Sequence, residues 1–132
     1  MPAAEPDRLL KVVLIEDSLL LCQALGAELG ELSGVQVVGQ AEDERSAIKL
    51  LQRQQPHLAI VDLQLRAGSG LGVLRALRRD PEQFGSPRAV VFSSHGEPSI
   101  REHCFALGVD RFFDKATQVG ELLAYVRQAI PS

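Results

Sequence analysis

His57-Leu58-Ala59-Ile60-Val61-Asp62-Leu63-Gln64-Leu65 is the stretch that decides the fold. Four apolar residues in a row end in a carboxylate. A run this short, ending in the branched pair Ile60-Val61, reads as a strand buried on both faces. An acid at its carboxyl end then lies at the rim of a sheet, where open α/β sheets place their ligands. Taken alone, Asp62 reads as a loop cap. Partners at the ends of other strands change that reading.

Working outward, Lys11-Val12-Val13-Leu14-Ile15 is a second apolar run and ends in Glu16-Asp17. Ser18 is placed to cap a helix with Leu21, Leu25, Leu29 and Leu32 at helical spacing. Val35 to Val38 reads as a short strand closed by Gly39-Gln40-Ala41. Asp43 suits the cap of a helix with Ala47, Leu50 and Leu51 as its stripe, and Pro56 ends it. Beyond Asp62, a polar loop from Arg66 to Gly70 leads to a helix with Leu71, Leu74 and Leu77 inward. Asp80-Pro81 breaks that helix. Ala89-Val90-Val91-Phe92 is a fourth strand ending in Ser93-Ser94, and Pro98 and Gly108 bracket another helix. Arg111-Phe112-Phe113 is a fifth strand ending in Asp114-Lys115. Thr117 suits the cap of the last helix, which carries Leu122, Val126 and Ala129. Five strands alternating with five helices predict an α/β fold, a doubly wound parallel sheet covered on two faces.

Composition narrows the function. The chain has 132 residues, 45% of them apolar, which suits one domain with a real core. A net charge of −3 with no dominant basic patch argues against direct nucleic-acid binding. Arg75, Arg78 and Arg79 read as one solvated helix face. Cys22 and Cys104 lie in apolar helical patterns without metal-ligand spacing, as buried thiols of a cytoplasmic protein do. No stretch approaches the roughly 20 apolar residues of a membrane span, so no membrane insertion is expected. Residues 1–9 read as a flexible lead and residues 10–130 as the domain. This sequence ends at the last helix, and a stand-alone domain without an effector is expected.

In a parallel sheet the carboxyl ends share one edge, so Glu16, Asp17, Asp62, Ser93, Asp114 and Lys115 can converge. Three carboxylates in one cleft repel each other, and a divalent cation removes that conflict. An all-oxygen ligand set favours a hard ion, and few carboxylates with several waters suit Mg²⁺. Zinc is disfavoured, because His57, His95 and His103 are scattered. A carboxylate can attack phosphorus to give an acyl phosphate, with Lys115 and the Ser93 hydroxyl each serving a phosphoryl oxygen.

With these residues in order, the chain resembles a response regulator receiver domain of bacterial two-component signalling. The likeness rests on Leu14-Ile15-Glu16-Asp17, Ile60-Val61-Asp62-Leu63, Gly70, Val91-Phe92-Ser93-Ser94 and Phe113-Asp114-Lys115. The resemblance implies the flavodoxin-like strand order 2-1-3-4-5. It implies Asp62 as the phosphoacceptor, Asp17 as a direct Mg²⁺ ligand, Glu16 as a ligand through water, and the Gln64 backbone carbonyl as a further ligand. Lys115 would pair with the phosphoryl group, or with Asp62 before phosphorylation. Ser93 would swing toward the phosphoryl oxygen and Phe112 would follow as the aromatic switch. Gln64 and His95 match two positions that tune dephosphorylation. The phosphoryl donor would be a histidine kinase or a phosphotransfer protein. The surface of the fourth helix, fifth strand and fifth helix would meet a downstream protein. Such a domain catalyses only its own phosphoryl transfer and slow autodephosphorylation, so it is not an enzyme acting on a separate substrate.

Two positions depart from the family pattern. Ala116 follows Lys115 where the family usually has proline, and a cis bond before a non-proline costs about 3 kcal/mol, so a trans bond is expected there. That leaves the aim of Lys115 open. Arg66 stands where proline is frequent, four residues after Asp62, so a looser loop is expected. Three other readings compete. A receiver-like module working without phosphorylation draws on Ala116 and is opposed by the complete acidic set. An aspartyl phosphatase would want a second Asp where Gln64 stands. A flavin-binding domain would want a phosphate-cradling loop where Glu16-Asp17-Ser18 carries negative charge.

Overall fold

The computed structural model describes residues 9–131. The expected lead lies almost wholly outside them. Five parallel strands form one sheet: β1 (Leu10–Ile15), β2 (Val35–Ala41), β3 (Leu58–Val61), β4 (Arg88–Ser93) and β5 (Arg111–Asp114), in the order β2-β1-β3-β4-β5. Between them run α1 (Leu19–Gly30), α2 (Glu44–Gln54), α3 (Gly70–Arg79) and α4 (Pro98–Ala106), and α5 (Val119–Ala129) follows β5. A 3₁₀ turn, Pro81–Phe84, lies between α3 and β4.

The unbroken apolar strands follow from burial on both sides. Successive side chains point to opposite faces. Val13, Ile15, Ala59, Val61 and Val91 pack with Ala47, Leu50 and Leu51 of α2, Val73, Leu74 and Leu77 of α3, and Cys104 of α4. Val12, Leu14, Leu58, Ile60, Val90 and Phe92 pack with Leu25 and Leu29 of α1 and with Leu122 and Val126 of α5. Each fully buried branched or leucine side chain contributes about 2 kcal/mol from water exclusion.

Side-chain caps fix where several helices begin, and hence where the preceding loops end. Ser18 Oγ accepts from the Leu21 N–H at 3.2 Å, and Asp43 Oδ1 from the Ser46 N–H at 2.8 Å. Ser69 Oγ accepts from the Gly72 N–H at 3.2 Å. Each cap is worth about 1 kcal/mol. Two sequence expectations are corrected. Thr117 does not cap α5: Gln118 is the capping residue by position, and its side chain instead accepts from the Asp114 N–H at 2.9 Å. Gly39-Gln40-Ala41 does not close β2 but continues it, because a register shift at Val12/Val13 lets Gly39, Gln40 and Ala41 pair with Val13, Leu14 and Ile15. A side chain at Gly39 would place its Cβ 2.7 Å from Leu50 Cδ1, so the glycine lets α2 close on the sheet.

Candidate functional site

Parallel register brings the strand ends together. Ile15 pairs with Val61, and the Asp62 N–H donates to the Ile15 carbonyl at 2.9 Å, so Glu16 and Asp62 emerge side by side. Ser93 pairs with Asp114, and the Lys115 N–H donates to the Ser93 carbonyl at 3.2 Å. Glu16, Asp62 and Ser93 are buried, while Asp17 is exposed. One carboxylate oxygen from each of Glu16, Asp17 and Asp62 lies within 4.8 Å of the other two. A cleft of about 480 Å³ opens beside them, lined by Asp17, Leu19, Gln40 and Asp43 among others.

Lys115 reaches this cluster. Its Nζ donates to Asp62 Oδ2 at 2.7 Å and lies 2.5 Å from Glu16 Oε1. The contact with Glu16 is a close ion pair, and buried Oε1 accepts from no other group. Glu16 Oε2 accepts from the Ser18 N–H at 2.8 Å. Burial raises the Glu16 pKa above its ordinary value, against the lowering effects of Lys115 and Ser18, and the charge of Asp62 adds to the rise. Burial alone would lower the Lys115 pKa, but hydrogen bonding and attraction from Asp62 and Glu16 outweigh it and the net shift is upward. Cys22, whose thiol faces the Glu16 carbonyl at 3.7 Å, is pushed up to about 11 by burial and then by the Glu16 charge.

The lysine's aim therefore survives the loss of proline. Among the described residues no peptide bond is cis, so Lys115–Ala116 is trans, and the amine still reaches Asp62. The Ala116 N–H donates to Asp114 Oδ1 at 2.7 Å, which holds the turn without the proline ring.

The other expected residues fall around the cluster. Ser93 Oγ accepts from the His95 N–H at 3.2 Å, and His95 Nε2 lies 2.6 Å from Gln64 Oε1. The two positions 31 residues apart thus meet across the mouth of the site. The Gln64 N–H leans toward Asp62 Oδ1 at 3.4 Å. Phe112 is buried in the core with the Arg101 guanidinium 4.5 Å above its ring.

Gly70 is demanded by space. A Cβ there would lie 2.1 Å from the Asp62 carbonyl oxygen and 2.8 Å from Leu63 Cα. The family model for the response regulator receiver domain matches residues 12–127. The chain belongs to the response regulator receiver domain family. Among curated relatives of this receiver domain is protein-glutamate methylesterase/protein-glutamine glutaminase 5 of Myxococcus xanthus, 32% identical over 130 residues, covering 91% of this chain and 36% of the relative. The phosphate regulon transcriptional regulatory protein PhoB of Rhizobium meliloti is 32% identical over 117 residues, covering 89% of this chain and 50% of the relative. The chain thus spans between a third and a half of these two relatives. The signal receiver domain of NarL from Mycobacterium tuberculosis superposes with a TM-score of 0.82 at 25% identity, covering 93% of this chain and 97% of that one. The response regulator domain of Thermotoga maritima CheB gives 0.82 at 21% identity, with 93% and 97% covered.

Receiver domains bind Mg²⁺ through an acidic pocket, and the residues here fit that ion. The donors are carboxylates, a hard oxygen set. Three carboxylates share the single Lys115 cation, so the cluster keeps an excess of negative charge that a divalent ion would balance.

The sequence reading missed the side chains that hold the loop after Asp62. The Arg66 N–H donates to the Glu42 carbonyl and the Glu44 N–H to the Ala67 carbonyl, both at 3.0 Å. Arg66 Nη1 pairs with Glu42 Oε1 at 2.9 Å, and the Ser69 N–H donates to Glu44 Oε1 at 2.9 Å. The loop expected to be looser without proline is therefore bonded to the start of α2. Ser69 before Gly70 was a visible capping signal. The contacts of Glu42 and Glu44 across about two dozen residues had no periodic signature.

Proposed function

We propose that this receiver domain takes a phosphoryl group on Asp62 from a histidine kinase or phosphotransfer protein in the cytoplasm, and that residues 10–130 are the working unit. The observation that carries the reading is the Lys115 amine 2.7 Å from Asp62 Oδ2 beside the Glu16–Asp17–Asp62 cluster. An Asp62 carboxylate oxygen bonds to phosphorus as the bond from phosphorus to the donor breaks, and the donor leaves with that electron pair. Asp17 and Asp62 would hold Mg²⁺ directly, Glu16 through water, and the Gln64 carbonyl would complete the protein's share. The bound ion supplies charge neutralisation for the entering phosphoryl oxygens. Lys115 exchanges its contact with the Asp62 carboxylate for one with a phosphoryl oxygen. Ser93 gives up the His95 N–H and turns its hydroxyl to another.

That turn links chemistry to surface. Ser93 lies on β4 against β5, where Phe112 sits, so movement of Ser93 and Phe112 alters the α4–β5–α5 face that a downstream protein meets. Phosphorylation shifts such an equilibrium only by its differential stabilisation, about 1.4 kcal/mol for each tenfold change. Gln64 and His95, joined over the mouth, would tune access of the water that removes the phosphoryl group.

The test is incubation with Mg²⁺ and acetyl phosphate or phosphoramidate, followed by mass spectrometry. One phosphoryl adduct located on Asp62 and absent from Asp62→Ala is expected. No adduct, or the same adduct in Asp62→Ala, returns the domain to a module that binds partners without phosphorylation.

A further inference from the structure

We propose that Glu44, outside the acid cluster, is a positioning residue for the phosphoacceptor site, holding the loop between β3 and α3 in register; this rests on the role given above to Asp62 and the Gln64 carbonyl. Two glycines form a socket for the Glu44 side chain. A Cβ on Gly72 would lie 2.2 to 2.4 Å from the Glu44 carboxylate atoms, and one on Gly68 would lie 2.6 Å from Glu44 Cβ. Glu44 Oε1 accepts the Ser69 N–H at the entrance of α3, a helix with no acid of its own in the first turn. The positive end of the α3 dipole favours a carboxylate there. Half-buried Glu44 also donates its own N–H to the Ala67 carbonyl, so one residue grips the loop by backbone and side chain.

What this grip controls is the segment that starts beside Asp62. Leu63 to Ser69 is pinned at one end by Asp62 in the sheet and at the other by Glu44. Between them the Gly70 N–H donates to the Leu63 carbonyl at 2.9 Å, which folds the loop back on the site. The sequence Arg66-Ala67-Gly68-Ser69-Gly70 has little stiffness of its own, with Gly68 at φ +73°. The exposed Arg66–Glu42 pair adds little to this. The Arg66 N–H bond to the Glu42 carbonyl and an antiparallel bridge between Gln64 and Ser69 hold the middle of the loop. Glu44 adds the side-chain hold at its α3 end, and so helps set where the Gln64 carbonyl stands relative to Asp17 and Asp62.

Gly72→Ala tests this without touching the acid cluster. The atoms its methyl would meet are the far end of a flexible side chain, so the carboxylate swings out and the fold persists. The full chain, unphosphorylated, is titrated with MgCl₂ and followed by backbone amide shifts, and amide exchange is read at Ser69. Expected is Mg²⁺ binding weakened about threefold to tenfold in Glu44→Ala and in Gly72→Ala, with faster exchange at Ser69 in both. Glu44→Gln keeps an oxygen for Ser69 and stays within about twofold of the parent. The double variant Glu44→Ala/Gly72→Ala is no worse than Glu44→Ala alone, because both changes remove one contact. Unchanged Mg²⁺ affinity in both single variants overturns the positioning role, and so does unchanged exchange at Ser69. A parent chain whose amides at Glu16, Asp17 and Asp62 do not respond to MgCl₂ overturns the site itself.

Discussion

The two rims of the sheet are built from similar residue types and use them in opposite ways. At the amino ends of the strands polar groups satisfy one another. His57 Nδ1 accepts from the Lys11 N–H, the His57 N–H donates to the Lys11 carbonyl, and the Arg88 N–H donates to the His57 carbonyl, each at 2.9 Å. Tyr125 donates to Asp110 Oδ2 at 2.6 Å while its ring packs edge-on against Phe113. At the carboxyl ends two buried acids share one lysine and a third, exposed acid lies beside them. The first arrangement lowers the free energy of the fold. The second leaves three carboxylates to one cation, and an imbalance of that kind marks the place where a ligand or a reaction supplies what is missing.

Changes to the charged side chains of the carboxyl rim should therefore cost function first, changes at the amino rim stability first, and a change to the backbone that supports the site both. The largest effect expected is that of Gly70→Ala, because the added methyl meets the backbone of Asp62 and Leu63, which cannot swing aside. Unfolding in urea should show a loss of about 3 kcal/mol, and the Asp62 adduct should disappear. An unchanged urea midpoint would mean that the close approach of the loop to Asp62 is not required.

Lys115→Met comes next. Removing the cation beside the acceptor should slow adduct formation from acetyl phosphate about a hundredfold. The folded-state pKa of Lys115 is raised, so its contribution to stability is fully present below its unfolded value of about 10.4 and is lost as pH rises through the folded value. The parent chain should lose stability above about pH 10, and Lys115→Met should lose less over that window. Chemical denaturation at stepped pH reads this directly.

Tyr125→Phe sharpens the comparison from the other rim. It deletes the hydroxyl that joins Asp110 and leaves the ring on Phe113. A loss of about 1 kcal/mol is expected in urea, with the rate of adduct formation unchanged. A slowed adduct would show that the rims are coupled.

Most of the carboxyl rim was readable because it is written locally. Each strand centres on a short apolar run, and the residues that end it lie at the rim, so the placement of Glu16, Asp17, Asp62, Ser93 and Lys115 follows from strand boundaries and parallel direction. Caps at Ser18 and Asp43 were equally local. The failures involve distant neighbours. The end of β2 was misplaced because Gly39 reads as a breaker until Leu50 is seen packed over it. Thr117 looked like a cap because nothing in the sequence ties Gln118 to Asp114. The loop after Asp62 looked loose because Glu42 and Glu44, which hold it, belong to a different element.

At the carboxyl rim three carboxylates share one lysine, so the excess of like charge should oppose the fold until a divalent cation joins them. Thermal unfolding of the parent chain and Asp17→Asn, each with and without MgCl₂, tests it most directly. Without Mg²⁺ the variant should melt higher by about 2 °C or more, since one repelling charge is gone. Mg²⁺ should raise the midpoint of the parent chain and leave that of Asp17→Asn nearly unchanged. A variant that melts lower without Mg²⁺, or that gains as much from Mg²⁺ as the parent does, would contradict it.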